Sequence, residues 1–153
     1  MSNIPIHDTF TIERQFKANR KRAFEAWSQL ALKEKWFVGP PGKWNLLKRE
    51  FDFRVDGREI ARGGFSDGDT SHFDAIYLDI IDQERIVYAY RMYVNDLLLS
   101  ISLVTVEFEG CGTGSKTKFT EQGVYFATQE AAASRLHGSQ MLMDNLTRVI
   151  EGE

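Results

Sequence analysis

Residues 9–16 read T-F-T-I-E-R-Q-F, with Phe10, Ile12 and Phe16 set against polar neighbours. This period of two predicts a first strand. Asn19 then offers an N-cap to a helix running through Arg22, Ala23, Phe24, Ala26 and Trp27. A second short helix is expected over residues 30–36. It should stop before Gly39-Pro40-Pro41-Gly42, which reads as a turn or loop. Residues 43–47 carry no decisive pattern. From Glu50 onward the pattern is β. Phe51, Phe53 and Val55 alternate with polar residues up to Asp56-Gly57, a hairpin signal, and residues 59–65 return as the next strand. Ser66-Asp67-Gly68-Asp69 makes another turn. Strands are then predicted over 72–81, 85–94, 97–108 and 115–122, separated by Asp82-Gln83-Glu84, Asn95-Asp96 and residues 110–114. Such short loops favour neighbouring antiparallel strands over parallel crossovers.

Residues 128–151 contain no proline and many helix formers, enough for about six turns. Leu142, Leu146, Val149 and Ile150 form an apolar stripe at helical spacing, which Leu136 extends toward the N-terminal end. Gly138 and Ser139, in between, contribute almost no side-chain volume. If that side faces the sheet, the helix leaves a gap there. Two short helices between the first strand and six more strands, with a long terminal helix across one antiparallel sheet of about seven strands, make an α+β architecture. A chain of 153 residues fits one domain spanning 1–153, with residues 1–7 expected to be a flexible tail.

Composition narrows the function classes. At 42% apolar and 27% charged residues the chain is an ordinary globular one, so wholesale disorder is excluded. The net charge of -3 lacks the basic footprint of a nucleic-acid binder. The densest apolar stretch, 96–108, is broken by Ser100, Ser102, Thr105 and Glu107. It falls short of the roughly 18 apolar residues that a membrane span needs. Residues 1–8 have neither the basic start nor the apolar centre of a secretory signal. Cys111 is the single cysteine, which excludes an internal disulfide or a multi-Cys metal site. A soluble, cytoplasmic protein is expected.

The chemistry-bearing residues are sparse. His7, His72 and His137 are too scattered for a metal site, and no metal or cofactor is expected. His72 and Asp74 share a strand face and so could form an acid–base pair. A solvated strand end is the more ordinary outcome. Asp79 and Glu121 are acids inside apolar strands. Buried in a cavity, either would have a raised pKa unless paired with Arg62, Arg85 or Arg91. Cys111 lies between glycines in a turn with no neighbouring histidine to activate it. Gly110-Cys111-Gly112-Thr113-Gly114 joins two strands, whereas a phosphate loop needs a following helix N-terminus. Residues 67–78 open like a calcium loop, but the sixth and twelfth positions are His72 and Leu78. No catalytic constellation emerges. The aromatic set says more: Tyr88, Tyr90 and Met92 share one strand face, and Trp36, Phe37, Trp44 and Phe53 lie in segments that should edge a cavity. Met141 and Met143 could line it or simply pack the helix. An aromatic cleft with a few polar tips suits a small apolar ligand, although a dry core uses the same residues.

The order of elements resembles the helix-grip fold of the START-like (SRPBCC) superfamily. Ala23-Phe24-Glu25-Ala26-Trp27, Lys35-Trp36-Phe37-Val38-Gly39-Pro40 and Asp56-Gly57-Arg58 carry the likeness in the first third. Residues 73–80 and Glu84-Arg85-Ile86-Val87-Tyr88 continue it, and Phe119-Thr120-Glu121-Gln122-Gly123 and Arg135-Leu136-His137-Gly138-Ser139 complete it. The chain looks like the branch named after the C-terminal domain of the activator of heat-shock-protein-90 ATPase. The resemblance implies a cavity between curved sheet and terminal helix, usually suited to a hydrophobic small molecule. It also keeps a pocket role open for Glu121. After Val124-Tyr125-Phe126 the chain departs from a common bacterial pattern. Ala127-Thr128 stands where an Asp-Gly pair is often found, a change at the pocket entrance or at a subunit contact.

The reading favoured is therefore binding of a small hydrophobic or aromatic molecule, with Trp36, Phe37, Trp44, Phe53, His72, Tyr88, Tyr90, Met92, Glu121 and Met141 around it. One alternative is an enzyme acting on a cyclic or aromatic substrate by acid–base chemistry in the same cavity. Another is a chaperone-interacting module, weakened because a full co-chaperone carries an additional domain. A homodimer through an edge strand or a surface is the remaining partner expectation.

Overall fold

Alternating burial along seven segments builds one antiparallel sheet in the computed structural model, which describes residues 4–126 and 129–152. The strands are β1 (Ile6–Phe16), β2 (Trp44–Phe51), β3 (Arg58–Phe65), β4 (Thr70–Ile81), β5 (Arg85–Val94), β6 (Leu97–Cys111) and β7 (Gly114–Tyr125). The helices are α1 (Arg20–Ser28), α2 (Leu30–Trp36) and α3 (Gln129–Glu151). The sheet order is β1-β7-β6-β5-β4-β3-β2, so five successive hairpins run from β2 to β7 and the chain's first strand closes against its last. Asn19 caps α1 as expected, its side chain accepting from the Arg22 N–H at 2.9 Å. Asn95 and Asp96 both take positive φ, 50° and 65°. They form the two-residue turn whose twist matches the flanking strands, with Val94 facing Leu97.

The differences from the sequence reading have local causes. Ile6 and His7, expected in a flexible tail, belong to β1, paired with Tyr125 and Val124. Residues 44–47 are strand, because Trp44 pairs with Phe65 at the sheet edge. Phe53 and Val55 do not extend β2. After Phe51 the chain tightens into a loop closed by Asp52 N–H to the Arg58 carbonyl (3.0 Å) and Gly57 N–H to the Arg54 carbonyl (2.8 Å). Gly57 is needed there, since a Cβ would sit 2.1 Å from the Asp52 carbonyl oxygen. β6 and β7 run on to a tight turn at Gly112-Thr113 instead of ending at a five-residue loop. Ala127 and Thr128 lie outside the described residues.

One sheet face is the concave, buried one. It carries Phe73, Ala75 and Tyr77 of β4, Ile86, Tyr88 and Tyr90 of β5, and Val104, Val106 and Phe108 of β6. α1 and α2 close one end with a pair of tryptophans, Trp27 against Trp36 at 4.7 Å between centroids. α3 packs along β1 and across α1 and α2 through Met143, Leu146 and Ile150. No helix among the described residues is long and apolar enough to cross a membrane.

Candidate functional site in the grip of sheet and helix

A column of aromatic rings runs down the concave face. Tyr77, Tyr88 and Tyr90 follow one another with centroids 5.9 and 6.1 Å apart, and Phe73 lies 4.8 Å from Tyr90. Each end of the column holds a buried acid that strand alternation points inward.

At one end, Glu121 of β7 accepts from Tyr90 OH (2.8 Å) and Ser102 Oγ (2.9 Å), both on its Oε2. Arg135 of α3 reaches down to the same group. Its Nη1 donates to Tyr90 OH at 2.8 Å and lies 3.6 Å from Glu121 Oε2. The guanidinium sits over the rings of Tyr90 and Tyr125, at 5.5 and 5.7 Å. The Glu121 side chain is 1% exposed and that of Arg135 15%. Burial raises the Glu121 pKa, opposed by Arg135 and by the two hydroxyl donors. Burial, then the Glu121 charge, holds Tyr90 well above the ordinary tyrosine value and pushes Tyr125 up to about 12. For Arg135, burial works against the charge, but Tyr90, Glu121 and Tyr125 outweigh it and the pKa rises. Two further hydroxyls, Ser100 Oγ and Tyr125 OH, are buried without a hydrogen-bond partner among the described residues. Ser100 and Tyr125 face each other across β6 and β7.

At the other end, Lys33 of α2 donates to Glu59 Oε1 at 2.6 Å and lies 3.4 Å from Tyr77 OH, which itself donates to Glu59. Six rings surround the ammonium, with centroids between 5.0 Å (Phe37) and 5.9 Å (Tyr77, Tyr88). Burial dominates and lowers the Lys33 pKa although Glu59 opposes it. Tyr77 is raised by burial and by Glu59. This end is closed: Lys33 and Glu59 are each 2% exposed.

The structure gathers Phe37, Tyr88, Tyr90, Met92 and Glu121 on the concave side, with Phe37 against Phe73 at 4.9 Å. Trp44 covers the sheet edge there. It donates to Ser71 Oγ at 3.2 Å and occupies the space a Cβ on Gly63 would fill. Trp36 is instead core, its indole N–H bound to the Ala26 carbonyl. Phe53 belongs with Phe24 and Tyr77 under α1, at 5.9 and 5.0 Å. His72 projects from the outer face, because β4 alternates and Phe73 takes the inner position; its ring rests on Tyr93. Asp74 pairs with Arg58, not with His72. Met141 is 46% exposed, since it lies two residues, more than half a helical turn, from Met143, which faces the core. Glu121 pairs with Arg135 and not with the arginines considered for it, while Asp79 does take Arg85, at 2.6 Å, on an exposed face. Of the two small residues in α3, Ser139 faces inward and is buried, while a Cβ on Gly138 would meet nothing within 4 Å. Sequence reasoning missed Lys33, Glu59, Ser102 and Arg135. Glu59 and Ser102 sit at inward strand positions, and Arg135 lies one turn before Ser139, so the signal was periodicity applied to polar residues.

Two depressions lie outside the grip. A depression of about 570 Å³ opens on the outer sheet face around Ala89, Ile101, Leu103 and Val124, and one of about 360 Å³ lies by the β6–β7 turn. Neither touches the tyrosine column. No group of three or more metal-ligating side chains occurs among the described residues.

The chain that folds into this seven-stranded sheet and C-terminal helix matches one family model. It is described as Activator of Hsp90 ATPase homolog 1-like protein, and it covers residues 17–151. The chain belongs to that family. Its fold is the helix grip of the START-like superfamily, as the resemblance implied. Over the full length of both chains it is 38% identical to an uncharacterized protein from Rhizobium leguminosarum, with a TM-score of 0.93. A protein from Rhizobium loti is 36% identical across 95% of this chain and 99% of its own, at a TM-score of 0.87. A Chromobacterium violaceum protein shares the fold at 23% identity and a TM-score of 0.75, covering 94% of this chain and 96% of its own. No curated protein matches the sequence.

Proposed function

We propose that this chain binds a small hydrophobic or aromatic molecule between the sheet and the N-terminal half of α3, in the cytoplasm. The ligand's apolar body would lie on Phe73, Tyr90 and Met92. Its polar tip would meet the hydroxyls around Glu121. The observation that carries this reading is the pair of buried hydroxyls, Ser100 Oγ and Tyr125 OH, without hydrogen-bond partners among the described residues, beside the satisfied Tyr90–Glu121–Arg135 cluster. Each unsatisfied buried polar group costs about 1–3 kcal/mol, which a ligand oxygen or nitrogen would recover. Because the column is filled by rings, admission of a ligand requires Arg135 and its turn of α3 to shift outward. The α3 residues in the buried core cluster, Met143, Leu146 and Ile150, lie in its C-terminal half, so its N-terminal half can shift while they stay packed.

Thermal shift against a library of small aromatic and alicyclic compounds tests the reading. Binders should raise the Tm of the wild type, and Tyr125→Phe and Ser100→Ala should reduce the gain for ligands with a polar tip. No shift from any compound, or shifts that both variants leave untouched, would overturn it. Ligand recovered in altered form would replace carriage by catalysis, with Glu121, its pKa raised by burial, as the acid.

A further inference from the structure

The outer face of the sheet carries a pattern the grip does not use. Strand register sets its outward residues in rows across β5, β6, β7 and β1. One row is Arg85–Glu107–Lys118–Glu13, and two rows further along come Ala89–Leu103–Gln122–Thr9 and then Arg91–Ile101–Val124–His7. Beyond the charged row, Glu109 faces Lys116. Ile101 and Leu103 are 38% and 37% exposed. Between them and Val124 the surface dips into the depression of about 570 Å³.

The charged row alternates plus, minus, plus, minus. Read backwards, it becomes its own complement. We infer that this face docks a second copy of the same chain, about a two-fold axis running along the strands between β6 and β7. That axis sets Arg85 opposite Glu13 of the second copy and Glu107 opposite Lys118. It likewise sets Glu109 opposite Lys116, and it brings Ile101 onto Val124 over the depression. A shift by one strand would put like charges together, so the pattern fixes the register as well as the partner. Arg85 gives its Nε to Asp79, and its remaining N–H groups make no other hydrogen bond or ion pair among the described residues. Face-to-face sheets pack in this aligned way, about 30° apart, with side chains filling the space between.

The area bounds the strength. Four strands about 4.8 Å apart and five rows about 6.8 Å apart cover some 650 Å² per copy, or about 1,300 Å² in total if the face were flat. Curvature reduces this to about 1,000 Å², the low end for a specific interface, so a reversible dimer is expected.

Sedimentation velocity of the full chain tests this from about 1 μM to about 1 mM, the span in which such an interface dissociates. The wild type should pass from monomer to dimer. Glu107→Lys should raise the dissociation constant at least about tenfold, the equivalent of 1.4 kcal/mol, because each dimer loses two complementary contacts. Glu107→Lys with Lys118→Glu should restore dimerization, since the exchange rebuilds both. Ile101→Asp, at an exposed position, should abolish the dimer while circular dichroism and the Tm stay near wild type. A chain that is monomeric at the highest concentration overturns the inference. So does a dimer indifferent to Glu107→Lys and Ile101→Asp, which would use another surface.

Discussion

Replacing Glu59 with Gln removes one charge from the closed end of the grip and nearly nothing else. In the wild type the Lys33 ammonium sits 2.6 Å from Glu59 Oε1, inside a ring of six aromatic side chains. At an effective dielectric constant of about 20 the attraction at that distance is about 6 kcal/mol, set against a desolvation penalty of several kcal/mol per ion. The intact pair therefore contributes little net stability, whereas removal of one partner leaves the penalty of the other exposed. Without Glu59, Lys33 folds in as the neutral amine. Discharging a lysine of pKa 10.5 at pH 7 costs at most about 4.8 kcal/mol, at 1.36 kcal/mol per pH unit. A loss of about 3–5 kcal/mol is expected for Glu59→Gln, read from urea unfolding at pH 7. The sign of the pH dependence follows. A lysine with a depressed folded pKa binds more protons unfolded than folded between that pKa and 10.5, so stability rises with pH across the window. The deficit of Glu59→Gln should narrow by up to about 1.4 kcal/mol per unit as pH rises from 7 toward 9. The double variant Lys33→Met with Glu59→Leu should recover most of the loss. A deficit below about 1 kcal/mol at pH 7, or one unchanged at pH 9, would refute this reasoning.

Other outcomes follow from single contacts. Gly63→Ala should cost about 1–3 kcal/mol and quench or shift Trp44 fluorescence, because the added Cβ falls 2.0 Å from the indole. Asn19→Ala should cost about 1 kcal/mol through loss of the α1 cap, measured by thermal unfolding. Glu121 has a raised folded pKa, so its contribution is present below the ordinary value of 4.5 and is lost as pH climbs through the folded value. Glu121→Gln should therefore gain stability relative to wild type as pH rises from 4.5 toward neutrality, and urea midpoints showing the opposite slope would contradict the assignment.

The strands and both short helices were legible because hydrophobic alternation and one Asn cap act locally. The limits of β2 were not. Phe51, Phe53 and Val55 alternate as a strand does, yet Gly57 lets the backbone close on Asp52 and carries Phe53 into the aromatic group under α1. Tyr88, Tyr90 and Glu121 could be read as inward-facing from period two alone. Their partners could not, because Arg135 and Lys33 arrive from helices whose rotation depends on packing. Met141 and His72 mark the same limit from the other side. Each is of a suitable type, but turned outward by a phase of one or two residues that composition does not encode.

Native mass spectrometry of the purified full chain, followed by denaturing extraction, tests the ligand-binding claim most directly. The account predicts a stoichiometric small apolar molecule on the wild type, retained less by Tyr125→Phe. A chain that is empty as purified, and stays empty after incubation with hydrophobic compounds, would contradict it.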